Sequence, residues 1–304
     1  MKKFLIKCSI FLLIGLLIGE LVVRIFHLNT DVPKMYKSQS ELIKFYPNQK
    51  GYWLKGSHKW VVNKYGQFGY EPKRLDNIFT VIGDSYISNI MNPPECHQAN
   101  YLSKINKDFD FFPCSRDGAS FMEMMEMKTE LDSLNPNGHL LYVHHGDFVE
   151  SIRDIKAKQN TTQVNLINGK KYFPELSSSK LKDLLYNFKF AYYIYRNYIV
   201  KSNNSVNNRD SLKSKDLDYG YLMKLILFVK KNYEIKNVYL IFSPDSDDKL
   251  IDLLKNNGFK VMKLQSSNYK EWKMEHDSHW SCHGHSEAAK QVSVFLKSLH
   301  LNKK

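Results

Sequence analysis

From residue 78 onward the chain alternates short apolar runs with longer helix-like stretches, and this alternation restricts its fold more than any other feature. The runs Ile78–Ile82, Phe109–Phe112, Leu140–Val143, Val238–Phe242 and Val261–Leu264 are each strand-sized. Between or after them, residues 97–107, 119–133, 217–232, 246–257 and 285–299 carry helix-like patterns. Such an order predicts a parallel sheet covered by helices on both faces. With 304 residues, 43% of them hydrophobic, the chain can bury one full-sized core, and no composition shift divides it.

The expected organisation is an N-terminal segment of residues 1–28, a polar stalk or covering layer at 29–59, and one α/β domain at 60–304. Residues 150–216 interrupt the alternation as an insertion after the third strand. The insertion contains the aromatic stretch "LLYNFKFAYYIYRNYIV", expected to form a helix packed over the sheet or a lid beside a substrate groove.

The first 28 residues read as a membrane segment. Lys2, Lys3 and Lys7 precede an uncharged run from Cys8 to Gly19, and extension to Phe26 approaches the roughly 20 residues a membrane helix needs. Glu20 and Arg24, four apart on one helix face, can pair near the far interface. Leu17 and Gly19 make a poor signal-peptidase site, which favours an uncleaved anchor over a cleaved signal. The lysines then stay in the cytoplasm and the remaining chain lies outside, in the periplasm or on the outer face of the membrane.

The net charge is +13, yet the lysines are scattered and no nucleic-acid motif accompanies them. Attraction to anionic lipid or an acidic polymer, or a plain solvated surface, accounts for the charge. Four cysteines allow one disulfide outside the apolar run, with Cys96–Cys114 one candidate and unpaired packing the alternative.

Chemistry concentrates at two places. "IGDSYIS" ends the first strand in Gly83-Asp84-Ser85, so Ser85 can be a nucleophile at a strand-to-helix turn or simply a helix N-cap. Near the other end, "HDSHWSCHGHSEAA" places Asp277 and His279 two residues apart. In extended chain those side chains share a side, so the carboxylate can orient the imidazole and stabilise the imidazolium formed when it takes a serine proton. An acyl-transfer site also needs donors for an oxyanion, for which Ser85 N–H and Gly118, in "SRDGAS", are candidates. His276, Asp277, His279, Cys282, His283 and His285 form a competing metal-ligand reading, but their spacing matches no common zinc pattern.

Gly83-Asp84-Ser85, Gly118, a polar end to the third strand and Asp277-x-His279 before the last helix together resemble the four blocks of the SGNH/GDSL hydrolases. The anchor followed by "VNKYGQFGYE" is similar to membrane-anchored bacterial members of that superfamily. The resemblance implies a flavodoxin-like three-layer α/β/α sandwich and cofactor-free ester hydrolysis or acyl transfer. Ser85 would be nucleophile, His279 base, Asp277 its orienter and Gly118 an oxyanion donor. The family's Gly-x-Asn-Asp block departs here to "VHHGDFVES", with Gly146 in the place of the Asn. Gly146 N–H or the His145 imidazole then replaces the amide, or the donor is absent, or a shift of one places Asp147 there. Trp280 makes the last block similar to the Asp-x-His-Trp element of alginate O-acetylation proteins, a pointer to acetyl esters of a cell-envelope glycan, with simple packing as the alternative role. A catalytically weak glycan-binding or envelope-assembly protein is the alternative to an esterase or O-acetyltransferase.

Overall fold

The structure, a computed structural model, describes residues 1–176, 185–200 and 217–299. The chain forms two compact units, one of Met1–Pro33, Lys50–Trp60 and Ser177–Ser211, the other of Lys34–Gln49, Val61–Leu176 and Leu212–Lys304. The helices are α1 (Lys2–Ile25), α2 (Ser85–Ser88), α3 (Gln98–Ile105), α4 (Phe121–Leu131), α5 (His145–Glu150), α6 (Lys189–Ile194), α7 (Tyr219–Asn232), α8 (Asp248–Asn256) and α9 (Cys282–Ser298).

In the larger unit, β1 (Ile78–Gly83), β2 (Asp110–Ser115), β3 (Gly138–Val143), β4 (Val238–Phe242) and β5 (Lys260–Lys263) make one parallel sheet in the order β5-β4-β3-β1-β2. This is the flavodoxin-like order, and its switch point lies between β1 and β3. Successive residues of each strand face opposite layers. Ile78, Ile82, Leu141, Val143, Leu240 and Phe242 meet α4, α5, α7 and α8, whereas Phe79, Val81, Leu140, Tyr142, Tyr239 and Ile241 meet α3 and α9. The expected three-layer α/β/α sandwich is thus the fold of this unit.

β2 runs three residues further than its apolar pattern, through Pro113 to Ser115. A proline normally ends a ladder because it has no N–H, but β2 is an edge strand and needs only one bonded side. Gly138 opens β3 against two buried rings. A Cβ there would stand 2.6 Å from the Tyr239 ring and 3.1 Å from the Phe79 ring, both buried.

In the smaller unit, α1 is long and apolar enough to cross a membrane, which a signal sequence would also satisfy. The aromatic segment, expected as a helix over the sheet or a lid, has α1 as a partner within this unit. The Glu20 carboxylate accepts from Lys189 N–H (3.1 Å) and Phe190 N–H (2.8 Å), and Arg24 donates to Asn187 O (2.8 Å). Glu20 and Arg24 pair as their spacing predicts.

Gly138→Ala is expected to cost about 1–3 kcal/mol by forcing the Tyr239 and Phe79 rings apart. Urea unfolding should show a lower midpoint with an unchanged slope.

Candidate active site

Asp84, not Ser85, caps the turn after β1. Its Oδ1 accepts from Tyr86 N–H at 2.9 Å, and its carbonyl accepts from Ile87 and Ser88 N–H. Ser85 is therefore the first helical residue, with its hydroxyl released from capping. Asn89, left-handed at φ 48°, closes α2 after one turn. Gly83 allows that turn to fold back, since a Cβ there would lie 2.4 Å from Ile87 Cγ1.

The free hydroxyl meets the far end of the chain. Ser85 Oγ lies 2.8 Å from His279 Nε2, and His279 Nδ1 is hydrogen-bonded to Asp277 Oδ1. Asp277 Oδ1 also accepts His279 N–H at 3.0 Å. With Nδ1–H held by the carboxylate, Nε2 is left to accept the serine proton. Asp277 and His279 lie in the short strand Asp277–Trp280, paired antiparallel with Lys273–Met274, which puts both side chains on one side.

Several contacts hold this ribbon against the turn. Tyr86 OH donates to Ser278 O at 3.0 Å, and its ring lies 5.0 Å from the His279 ring. Trp280 is 2% exposed, donates to Tyr269 OH at 2.8 Å and packs edge-on against Trp272 and Tyr86. Trp280 is thus packed into the ribbon and also borders the cavity beside Asp84 and His144. Asn92 Nδ2 donates to Trp280 O at 2.8 Å. A Cys96–Cys282 disulfide pins the start of α9 three residues after His279. The Cys96–Cys114 pairing is thereby corrected. Cys114 faces the core from β2, and burial pushes its thiol up to about 12.

On the oxyanion side, neither Ser85 N–H nor Gly118 N–H has a partner among the described residues. Gly118 has φ +72°, a conformation few side-chain-bearing residues adopt. Arg116 fixes that loop: its Nη1 donates to Asp117 O (2.8 Å), its Nη2 to Gly118 O (3.3 Å), and its guanidinium pairs with the fully buried Glu123. Glu123 also accepts from Thr161 Oγ1 and Thr162 N–H. The Ser88 hydroxyl ties Asp117 to α2. Sequence reading missed Arg116 and Glu123, which carry no motif; the pairing is visible only once α4 is folded back.

The third block is built differently from expectation. Gly146 N–H donates to His144 Nδ1 at 3.2 Å, so it is committed within α5 and is not a free donor. Asp147 Oδ2 accepts His144 N–H at 2.7 Å, closing a capping box. His145 is buried with its ring tilted against that of His144, 3.7 Å between centroids. His144 is the half-exposed imidazole of the pair, and burial with the neighbouring His145 lowers its pKa to about 4. It lines a cavity of about 30 Å³ together with Asp84, Tyr86, Asp147 and Trp280. Burial raises Asp84 to about 6, with Asp117 and Glu150 adding to it, and burial beside Asp84 raises Asp147 well above the usual range.

The histidine-rich segment does not converge on a metal. His276 is exposed, Cys282 is in the disulfide, and His285 is buried with its Nδ1 3.1 Å from the Gln98 amide. Among the described residues no group of three or more His, Cys, Asp or Glu is placed to hold one.

No family model and no curated protein sequence matches the chain. Solved structures do. A member of the lipolytic G-D-S-L family from Veillonella parvula aligns with 10% identity over 74% of this chain and 100% of its own, at a TM-score of 0.37. TesA aligns with 9% identity over 73% and 99%, at 0.39. A GDSL-like lipase structure from Bacteroides ovatus aligns with 12% identity over 73% and 98%, at 0.36.

Asp84 ionises at higher pH folded than unfolded, so folding loses stability as pH rises from 3.8 through about 6. Asp84→Asn retains an oxygen cap and should gain up to about 3 kcal/mol at pH 7.5. The gain should vanish near pH 4 in unfolding titrations. Cys96→Ser with Cys282→Ser should cost about 2–4 kcal/mol and lower the melting temperature.

Proposed function

We propose that the chain is a serine ester hydrolase or O-acyltransferase of the SGNH/GDSL type, anchored by α1 and acting outside the cytoplasm on acyl esters, above all acetyl esters of a cell-envelope glycan. The observation that carries this is the Ser85–His279–Asp277 chain of hydrogen bonds at the carboxyl edge of a parallel sheet. A disulfide beside the base supports an oxidising compartment.

Ser85 Oγ attacks the acyl carbon while its proton passes to His279 Nε2. The carbonyl oxygen takes the negative charge, facing the N–H groups of Ser85 and Gly118. Collapse expels the alcohol, which recovers the proton from His279, and leaves an acyl group on Ser85. His279 then takes a proton from water or a sugar hydroxyl, whose attack frees the serine. The chemistry asks for no cofactor beyond these groups. Asp277, 43% exposed, holds the imidazole but has much of its charge screened by solvent.

The alternative, a weak catalyst that binds a glycan during envelope assembly, draws support from the committed Gly146 N–H. A site lacking one oxyanion donor loses roughly a hundred- to a thousandfold in rate, which slows turnover without abolishing it.

A fluorophosphonate probe tests the reading without knowledge of the substrate. On full-length protein in detergent, an adduct should map to Ser85 and disappear in Ser85→Ala and His279→Ala. Ester turnover should fall about 10⁴-fold or more in either variant, and roughly 10²–10⁴-fold in Asp277→Asn. Folded protein that forms no adduct but binds acetylated glycan would falsify the catalytic reading in favour of the binding one.

A further inference from the structure

α6 is turned inside out for a helix in water. Phe188, Ala191, Ile194, Tyr195 and Tyr198 are exposed, Phe188 by 57% and Tyr198 by 70%. At 100° per residue Phe188, Ala191 and Ile194 fall in one stripe about 120° wide, Tyr195 and Tyr198 follow it on the wider turn Tyr195–Val200, and none is charged. Lys189, Arg196 and Asn197 lie off that stripe and are half-buried. Aromatic residues grouped this way on a surface mark a contact with something apolar.

The level of the stripe is set by α1. Before Gly19 that helix is apolar after its lysines and exposed on all sides, and Glu20 is the first charge beyond the run. The Glu20 carboxylate caps the start of α6, and Asn29 Nδ2 donates to Lys189 O at 2.7 Å. Gly19 makes room for the Phe190 ring, which a Cβ would approach to 2.9 Å. The aromatic helix is therefore joined to the anchor where the anchor leaves its apolar run. Tyrosine concentrates at that depth of a bilayer, and amphipathic helices lie there in the plane of the surface.

We infer that α6 and the turn continuing it, Tyr195–Val200, form a second membrane contact, lying in the headgroup region with the aromatic stripe against lipid. This rests on α1 spanning the membrane, and it gives the smaller unit a second hold on the bilayer.

Nitroxide labels test it on the full-length protein in phosphatidylcholine–phosphatidylglycerol vesicles. Phe188→Cys, Tyr195→Cys and Tyr198→Cys are each made with Cys8→Ser, the buried Cys114 being left in place. Leu13→Cys reports the span and Lys290→Cys reports water. The three stripe labels should collide with oxygen over a soluble nickel chelate severalfold more than the Lys290 label does. Gly19→Leu, which displaces Phe190, should return the Tyr195 and Tyr198 labels to water-like values. Water-like values at all three while the Leu13 label reads as hydrocarbon would overturn the second contact and leave the anchor standing. Strong spin coupling between copies would also overturn it, because the stripe would then meet a second chain. A water-like Leu13 label would remove the span and the inference with it.

Discussion

The hydrogen bond between Ser85 and His279 joins residues 194 apart in sequence, and the rest of the site is arranged to keep it. A proton can pass directly between a hydroxyl and an imidazole only at hydrogen-bond distance, so two separate loops have to be positioned to a fraction of an ångström. The parallel sheet supplies the coarse placement by bringing the end of β1 and the loop before α9 to one edge. Finer placement comes from contacts that act on different atoms of the same loop: Tyr86 on Ser278, Asn92 on Trp280, the buried indole on Tyr269, and the disulfide on Cys282. Loss of any one leaves the others in place, which suits a ribbon whose own ladder is only a few residues long.

Polar groups buried or half-buried beside this contact cost stability. Asp84 and Asp147 are each pushed towards the protonated form by burial, and Asp84 adds to the effect on Asp147. Both nonetheless close backbone donors that the turns would otherwise leave unpaired, at Tyr86 and His144. Arg116 and Glu123 are buried as a pair, and Glu123 gains two further donors from Thr161 and Thr162, which satisfies the carboxylate. Their product is a glycine loop held in a left-handed conformation with its N–H uncommitted.

The strands and helices of the larger unit were legible in the sequence because each repeats one physical pattern many times over. Asp277 and His279 were legible because a two-residue spacing in extended chain fixes their relation locally. What was not legible depended on partners far away in sequence. Pro113 reads as a terminator until β2 is known to be an edge strand. Cys96 finds Cys282 only after α3 and α9 pack together. The aromatic segment near residue 190 has the composition of a buried helix, and only its attachment to Glu20 reveals α1 as its neighbour. In "HHGD" the pattern singled out His145, whereas the fold buries that ring and leaves His144 at the cavity.

A binding protein could tolerate an altered third block more easily than an enzyme, so the two readings differ over what the serine turn is for. In a purely structural turn, Ser85 would be the natural N-cap, its hydroxyl accepting from the backbone. Asp84 takes that task, although desolvation of this half-buried carboxyl raises it to about 6 and it resists ionisation. The arrangement accepts a destabilised carboxyl in order to leave a hydroxyl free for an imidazole whose other nitrogen is already held by Asp277. Strain of that kind, concentrated where proton transfer is possible, fits a site shaped by reactivity more closely than one shaped by packing or by ligand contact alone.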